Sequence, residues 1–253
     1  MSSLAIALTM FACVLVSNLV AMMVAERLPG HHLSSDSRDV VKLGLGVVGT
    51  LTALVLGLLV SATKATFDTQ TGTIKELAAQ IGVIDRLLAR YGPDADAARK
   101  QLPLLTQSVL DQLWPVGDRV HIDFSGGSSK REGETLYELV SSLEPTNDAQ
   151  RSLKSRVEDI VIELGRLRQR LVVNAERSIP MPLLVVLGAW QAVLFAGFGL
   201  LTPRNLTTVT SLIICMLSVA GAIFLIMELE RPFAGIVRVP NASLRSVLSN
   251  LGK

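Results

Sequence analysis

Apolar positions along this chain follow two regimes. In four stretches, residues 4–25, 43–63, 179–202 and 205–227, they run on without a single Asp, Glu, Lys or Arg. Elsewhere they recur at helical spacing among charged residues. Each uncharged stretch is 21 to 24 residues long. A bilayer core of about 30 Å is crossed by about 20 residues of helix. Inside lipid, only a helix satisfies its own backbone polar groups within one segment. The pattern therefore predicts an all-α, multi-pass membrane protein: four transmembrane helices, with a helical cytoplasmic domain inserted between the second and third. Residues 1–63 would hold spans 1 and 2, residues 64–178 the helical domain, residues 179–229 spans 3 and 4, and residues 230–253 a cytoplasmic C-terminal tail.

The polar block is helical in its periodicity. Ile74, Leu77, Ile81, Ile84 and Leu88 recur at spacing 3-4-3-4, up to the break at Tyr91-Gly92-Pro93. Leu153, Val157, Ile160, Leu164, Leu167 and Leu171 recur at 4-3-4-3-4, after a helix start at Thr146-Asn147-Asp148. Two heptad stripes of this kind want partners. One follows a span and the other precedes one, so they can pair antiparallel as a coiled-coil stalk, within one subunit or between subunits. The second span is expected to continue unbroken into the first stalk helix. Gly72 is its weakest point, at about 1 kcal/mol against Ala. Between the stripes lie two shorter helical stretches, 95–113 and 132–143. Pro103 should kink or split the first. The run Gly126-Gly127-Ser128-Ser129-Lys130-Arg131 has the composition of a phosphate loop but the wrong order, and is read as a flexible cytoplasmic loop.

Charge adds an orientation. The net charge of +2 is no footprint for nucleic acid, which calls for a basic face; mean hydropathy is +0.46. Four spans put both termini and the central block on one side. Lys64, Lys75, Arg166, Arg168, Arg170, Arg177 and Arg231 flank the spans there. By the positive-inside rule that side is the cytoplasm, with the protein in the cell membrane. The opposite loops carry Arg27, Arg38, Lys42 and Arg204. The N-terminus lacks the positive region of a signal peptide, so the first stretch reads as an uncleaved span. The sequons at Asn205 and Asn241 carry no weight in this topology.

Candidate chemistry is sparse. Cys13 and Cys215 fall in apolar stretches and read as small buried hydrophobes. His31 and His32 are adjacent in a loop and His121 stands alone, so no metal site is expected. Gln191, in the third span, is expected to bond to a neighbouring helix. No catalytic constellation, buried carboxylate pair or nucleotide fingerprint is visible, so neither an enzyme nor a cofactor is expected. What stands out is a small-residue ridge in the second span: Gly49, Ala53, Gly57, Ser61 and Ala65, every four residues. The third span carries Gly188, Ala192 and Ala196, and the fourth Ser218 and Ala222. Such ridges let helix backbones approach closely. They can pack within a subunit, or face an oligomer axis and line a pore. No charged residue sits mid-membrane, which disfavours a proton pump or ion-coupled carrier but not a passive channel gated by dewetting. Lys64, Asp68, Glu228, Glu230, Arg231 and Phe233 gather at the cytoplasmic boundary, as interfacial anchors or as a channel mouth.

Several segments resemble the bestrophin-like domain family. They are His31-His32-Leu33-Ser34, residues 39–46 and 51–60 with Lys64 and Phe67-Asp68 behind them, residues 87–93, 147–151 and 217–226, and above all Glu228-Leu229-Glu230-Arg231-Pro232-Phe233-Ala234-Gly235. The resemblance implies a distant relation to bestrophins, pentameric anion channels with four spans and a helical cytoplasmic region. The stretch Ala62-Thr63-Lys64-Ala65-Thr66-Phe67-Asp68 lacks their tryptophan pair, the second span has no Phe for an aromatic neck, and their acidic calcium clasp has no counterpart. The leading expectation is a homo-oligomeric ion channel, for anions, pentameric if it follows bestrophins, with lipid and inorganic ions as partners. The alternative is a non-conducting scaffold or sensor that binds partners through its cytoplasmic helices. A motor-stator-like proton channel would need a membrane carboxylate from another chain.

Overall fold

The computed structural model describes residues 2–29, 35–114, 127–175, 179–203, 205–233 and 235–252, the side chains of 172–175 excepted. Among these the helices are α1 (Ser3–Arg27), α2 (Ser35–Tyr91), α3 (Asp96–Leu113), α4 (Ser128–Ser141), α5 (Asp148–Ala175), α6 (Met181–Leu201), α7 (Leu206–Leu229) and α8 (Ala242–Asn250). The chain divides into two compact units. One comprises Met1–Ala65 and Ser178–Glu230, the other Thr66–Arg177 and Arg231–Lys253.

In the first unit, α1, α6, α7 and the apolar part of α2 are each long and apolar enough to cross a membrane. The first, third and fourth uncharged stretches thus become helices with ends close to those expected, while the second lies inside α2, which begins earlier, at Ser35. The core of this unit rests on α1, which packs against both α6 and α7. Small residues set the approach. A Cβ on Gly188 would fall 2.8 Å from Met10 Cε, one on Gly197 would fall 2.4 Å from Leu45 Cδ2, and one on Gly199 would fall 2.6 Å from the backbone oxygen of Asn18. Two polar side chains of α1 use that proximity. Ser17 Oγ donates to the Ala192 carbonyl at 2.9 Å, and Asn18 Nδ2 donates to the Phe195 carbonyl at 2.7 Å. In a medium without water these are the available partners. Val14, Phe195 and Met216 form one apolar cluster. Leu184, Leu187, Ile223 and Met227 form another, against which Val55, Leu56 and Leu59 of α2 pack. Asn205, the asparagine of the first sequon, is the N-cap of α7 and accepts from the Thr208 amide at 2.9 Å.

Cys13 and Cys215 depart from expectation: both are exposed. The reason is the solvent. A membrane helix is apolar all round, so an apolar stretch does not mark which of its faces is covered.

In the second unit α2, 57 residues long in all, continues without interruption to Tyr91. It ends where Gly92 adopts φ +116°, a left-handed value open to glycine, and Pro93–Ala95 forms a 3-10 turn. Both heptad stripes enter one core: Ile74, Leu77, Ile81, Ile84 and Leu88 of α2 are buried in the same cluster as Val157, Ile160, Leu164, Leu167 and Leu171 of α5. α5 starts as its sequence signals, with the Asn147 side chain accepting from the Gln150 amide at 2.8 Å. The segment after α7 joins this unit. Phe233 meets Trp114 edge-to-face at 5.6 Å, and Trp114 Nε1 donates to the Val239 carbonyl at 3.0 Å.

Two expectations are corrected in part here. Pro103 does not split α3. Leu102 and Thr106 on either side of it are fully buried, and that packing offsets the roughly 3 kcal/mol that a helix-interior proline costs. The glycine-serine run is not all loop, because α4 begins at Ser128. Ser129 is buried and hydrogen-bonded, which holds the first turn in place. Gly126 lies outside the described residues.

Candidate functional site

The faces of α2 define the candidate site in the first unit. One face is covered: Leu45, Thr52 and Thr63 are buried. The two threonines satisfy their hydroxyls on their own helix, Thr52 Oγ1 on the Val48 carbonyl at 2.7 Å and Thr63 Oγ1 on the Leu59 carbonyl at 2.9 Å. They can therefore sit in an apolar contact without an unpaired donor. Another face is open. Leu43, Val47, Leu54 and Leu58 are exposed by 60 to 74%.

The small-residue ridge crosses from one to the other. A Cβ on Gly49 would touch Leu194 Cδ2 at 3.8 Å, whereas one on Gly57 would meet nothing within 4 Å. Ala53, Gly57, Ser61 and Ala65 are exposed. Four residues turn a helix by about 40° more than a full revolution, so a strict four-residue ridge drifts around the axis. It begins against α6 and ends in the open. The ridges of α6 behave differently: Gly188 meets Met10, and the Ala192 carbonyl is bonded to Ser17. Gln191 is buried at 2%.

The boundary residues have separate surroundings. Lys64 and Asp68 are exposed and one turn apart on α2. Glu228 is 4% exposed. Glu230 accepts a hydrogen bond from the Ile179 amide just before α6, so it ties the start of one span to the end of another. Arg231 is exposed. Phe233 is buried against Trp114 in the core of the second unit, a packing position. His31, His32, His121 and Arg204 lie outside the described residues. Among the described residues, no three His, Cys, Asp or Glu side chains gather as a metal site.

Sequence reasoning passed over Asn18, Gly197 and Gly199. The available signal was thin: one asparagine in an uncharged stretch, and two glycines flanking Phe198. The α2 ridge was visible because its spacing is regular. The α1–α6 contact does not repeat regularly, so it left no such mark.

A family model described as the bestrophin-like domain matches residues 11–244. No curated protein matches. Several solved structures share the fold. Three are single-site variants of a bacterial bestrophin homologue from Klebsiella pneumoniae. One is 17% identical, with a TM-score of 0.71 and 96% of each chain covered. A second is 16% identical, with a TM-score of 0.73, covering 99% of this chain and 97% of that one. The third is 16% identical, with a TM-score of 0.72, covering 97% and 98%.

Proposed function

The chain belongs to the bestrophin-like domain family, and on that premise we propose that it forms a homo-oligomeric ion channel, conducting anions, with α2 nearest the axis. The observation that carries this reading is the open stretch of the α2 ridge. Ala53, Gly57 and Ser61 are left uncovered by the chain's own helices, and Gly57 has free space where a side chain would stand. Small residues on an uncovered membrane face permit close approach of a second backbone. Around a closed ring they permit a bore lined by apolar wall and the Ser61 hydroxyl, of the kind that gates by dewetting. The uncharged stretch 43–63 is bracketed by Lys42 and Lys64, the sign suited to anions. The excess of basic residues flanking the spans supports a cytoplasmic second unit and cytoplasmic termini, in the cell membrane.

Purified protein in liposomes tests this directly. Halide efflux above that of empty liposomes is expected, together with a particle mass of several subunits. Gly57→Leu should cut the flux while leaving particle mass unchanged. Absence of flux across a range of pH and voltage would overturn the channel reading and leave the non-conducting scaffold.

A further inference from the structure

Within the second unit, a cavity of about 430 Å³ opens among α2, α3, α4 and α5. Leu77, Ile81, Leu105, Val109 and Leu164 line it. These residues are part of the unit's apolar core, and the exposed residues Lys130, Glu134, Tyr137, Glu138, Ile162 and Gly165 form the open side of the space. Its size falls within the range of small-molecule sites.

One half-buried cation, Arg168, is built into the wall beside the buried Ser129. Arg168 Nε donates to Ser129 Oγ at 3.0 Å, and the Ser129 hydroxyl donates to Gln112 Oε1. A hydroxyl has one proton to give, so Ser129 meets Arg168 as an acceptor. Arg168 Nη2 is buried with no partner among the described residues. The nearby acidic groups do not neutralise it at contact. Glu134 pairs with Lys130 at 3.7 Å, both exposed at the rim, and Glu138 is exposed. Glu134 acts on Arg168 only from a distance, and burial holds the Arg168 pKa below its ordinary value. A half-buried cation without a contact counter-ion is costly. The inner wall of the cavity beside it is apolar, and the charged residues Lys130, Glu134 and Glu138 line its exposed rim.

We propose that this cavity binds an apolar monocarboxylate, such as a medium-chain fatty acid, its chain among the leucines and its carboxylate against Arg168. At about 30 Å³ per non-hydrogen atom the space holds roughly 14 of them, a single chain of about a dozen carbons with its carboxylate. Both chains of a bilayer lipid would not fit. The inference does not depend on conduction, because binding is read without flux.

The test is equilibrium binding of radiolabelled dodecanoate to the full chain in lipid nanodiscs, with dodecan-1-ol as the uncharged control. Two variants isolate the site. Arg168→Gln removes the charge. Gly165→Leu fills the cavity: Gly165 lines it, and a Cβ there meets nothing within 4 Å. Leucine also favours a helix over glycine, so this variant should melt no lower than the parent. The expected result is saturable uptake of one dodecanoate per chain, weakened at least about tenfold by Arg168→Gln and abolished by Gly165→Leu. Uptake that never saturates, equal binding of the alcohol, or undiminished binding by both variants would overturn the proposal.

Discussion

Asn18 Nδ2 donates to the Phe195 carbonyl at 2.7 Å, while the backbone oxygen of Asn18 lies where a side chain on Gly199 would go. One polar residue and one missing side chain thus set the separation of α1 and α6. The hydrogen bond is possible because the helices are close, and they are close because Gly199 carries no Cβ.

Asn18→Leu is accordingly expected to destabilise the first unit by about 1 kcal/mol, the usual scale of an interhelical hydrogen bond in a membrane. Gly199→Val should cost more, since backbone must move to admit it. Thermal unfolding in detergent, followed by helical circular dichroism, checks both. A Gly199→Val protein as stable as the parent would show that the α1–α6 approach is soft.

Gly57 and Gly197 should respond in opposite ways. A side chain at Gly197 meets Leu45 of α2, so Gly197→Leu should lower the melting temperature of the isolated chain. Gly57→Leu meets nothing in its own chain and should leave that temperature unchanged, acting on flux alone. Melting curves beside liposome flux separate the two effects.

In the second unit Arg99 Nε pairs with Asp85 Oδ1 at 2.9 Å, with side chains 22% and 12% exposed. The hydrogen bond to Asp85 holds the Arg99 guanidinium above its ordinary pKa. Removing one partner leaves the other charge half-buried, so Asp85→Ala should cost about 1–3 kcal/mol, less than a fully buried pair. A double-mutant cycle with Arg99→Ala should show the two losses to be less than additive. Urea unfolding measures all three variants.

The Tyr91 hydroxyl is buried and has no partner among the described residues. Burial pushes its pKa above the ordinary tyrosine value, with Asp94 and Glu144 adding to the effect. Above about pH 10 the unfolded chain releases this proton and the folded chain keeps it. The unfolded state then binds fewer protons, and stability falls as pH rises. Tyr91→Phe should remove that alkaline slope and, at neutral pH, stabilise the fold by about 1 kcal/mol, because an unmet hydroxyl is no longer buried. Unfolding curves at neutral and alkaline pH give both quantities.

Much of the architecture was legible in the residues alone. Four uncharged stretches became four helices able to span a membrane. Alternating steps of three and four placed Ile74–Leu88 and Val157–Leu171 in one core. Gly92-Pro93 ended α2, and Asn147 started α5. These are local matters: the length of an apolar run, the period of a stripe beside polar neighbours, a backbone torsion, a cap. Tertiary structure decided which faces meet. It put Gly49 against Leu194 and Gly57 in the open, exposed Cys13 and Cys215, buried Phe233 against Trp114, carried α3 through Pro103, and left Arg168 beside a cavity open to the surface. The physical reason is the same in each case. Where the surroundings are lipid, a covered face and an uncovered face are equally apolar, so the pattern along the chain does not distinguish them. Where a side chain's partner lies a hundred residues away, only the folded chain brings the two together.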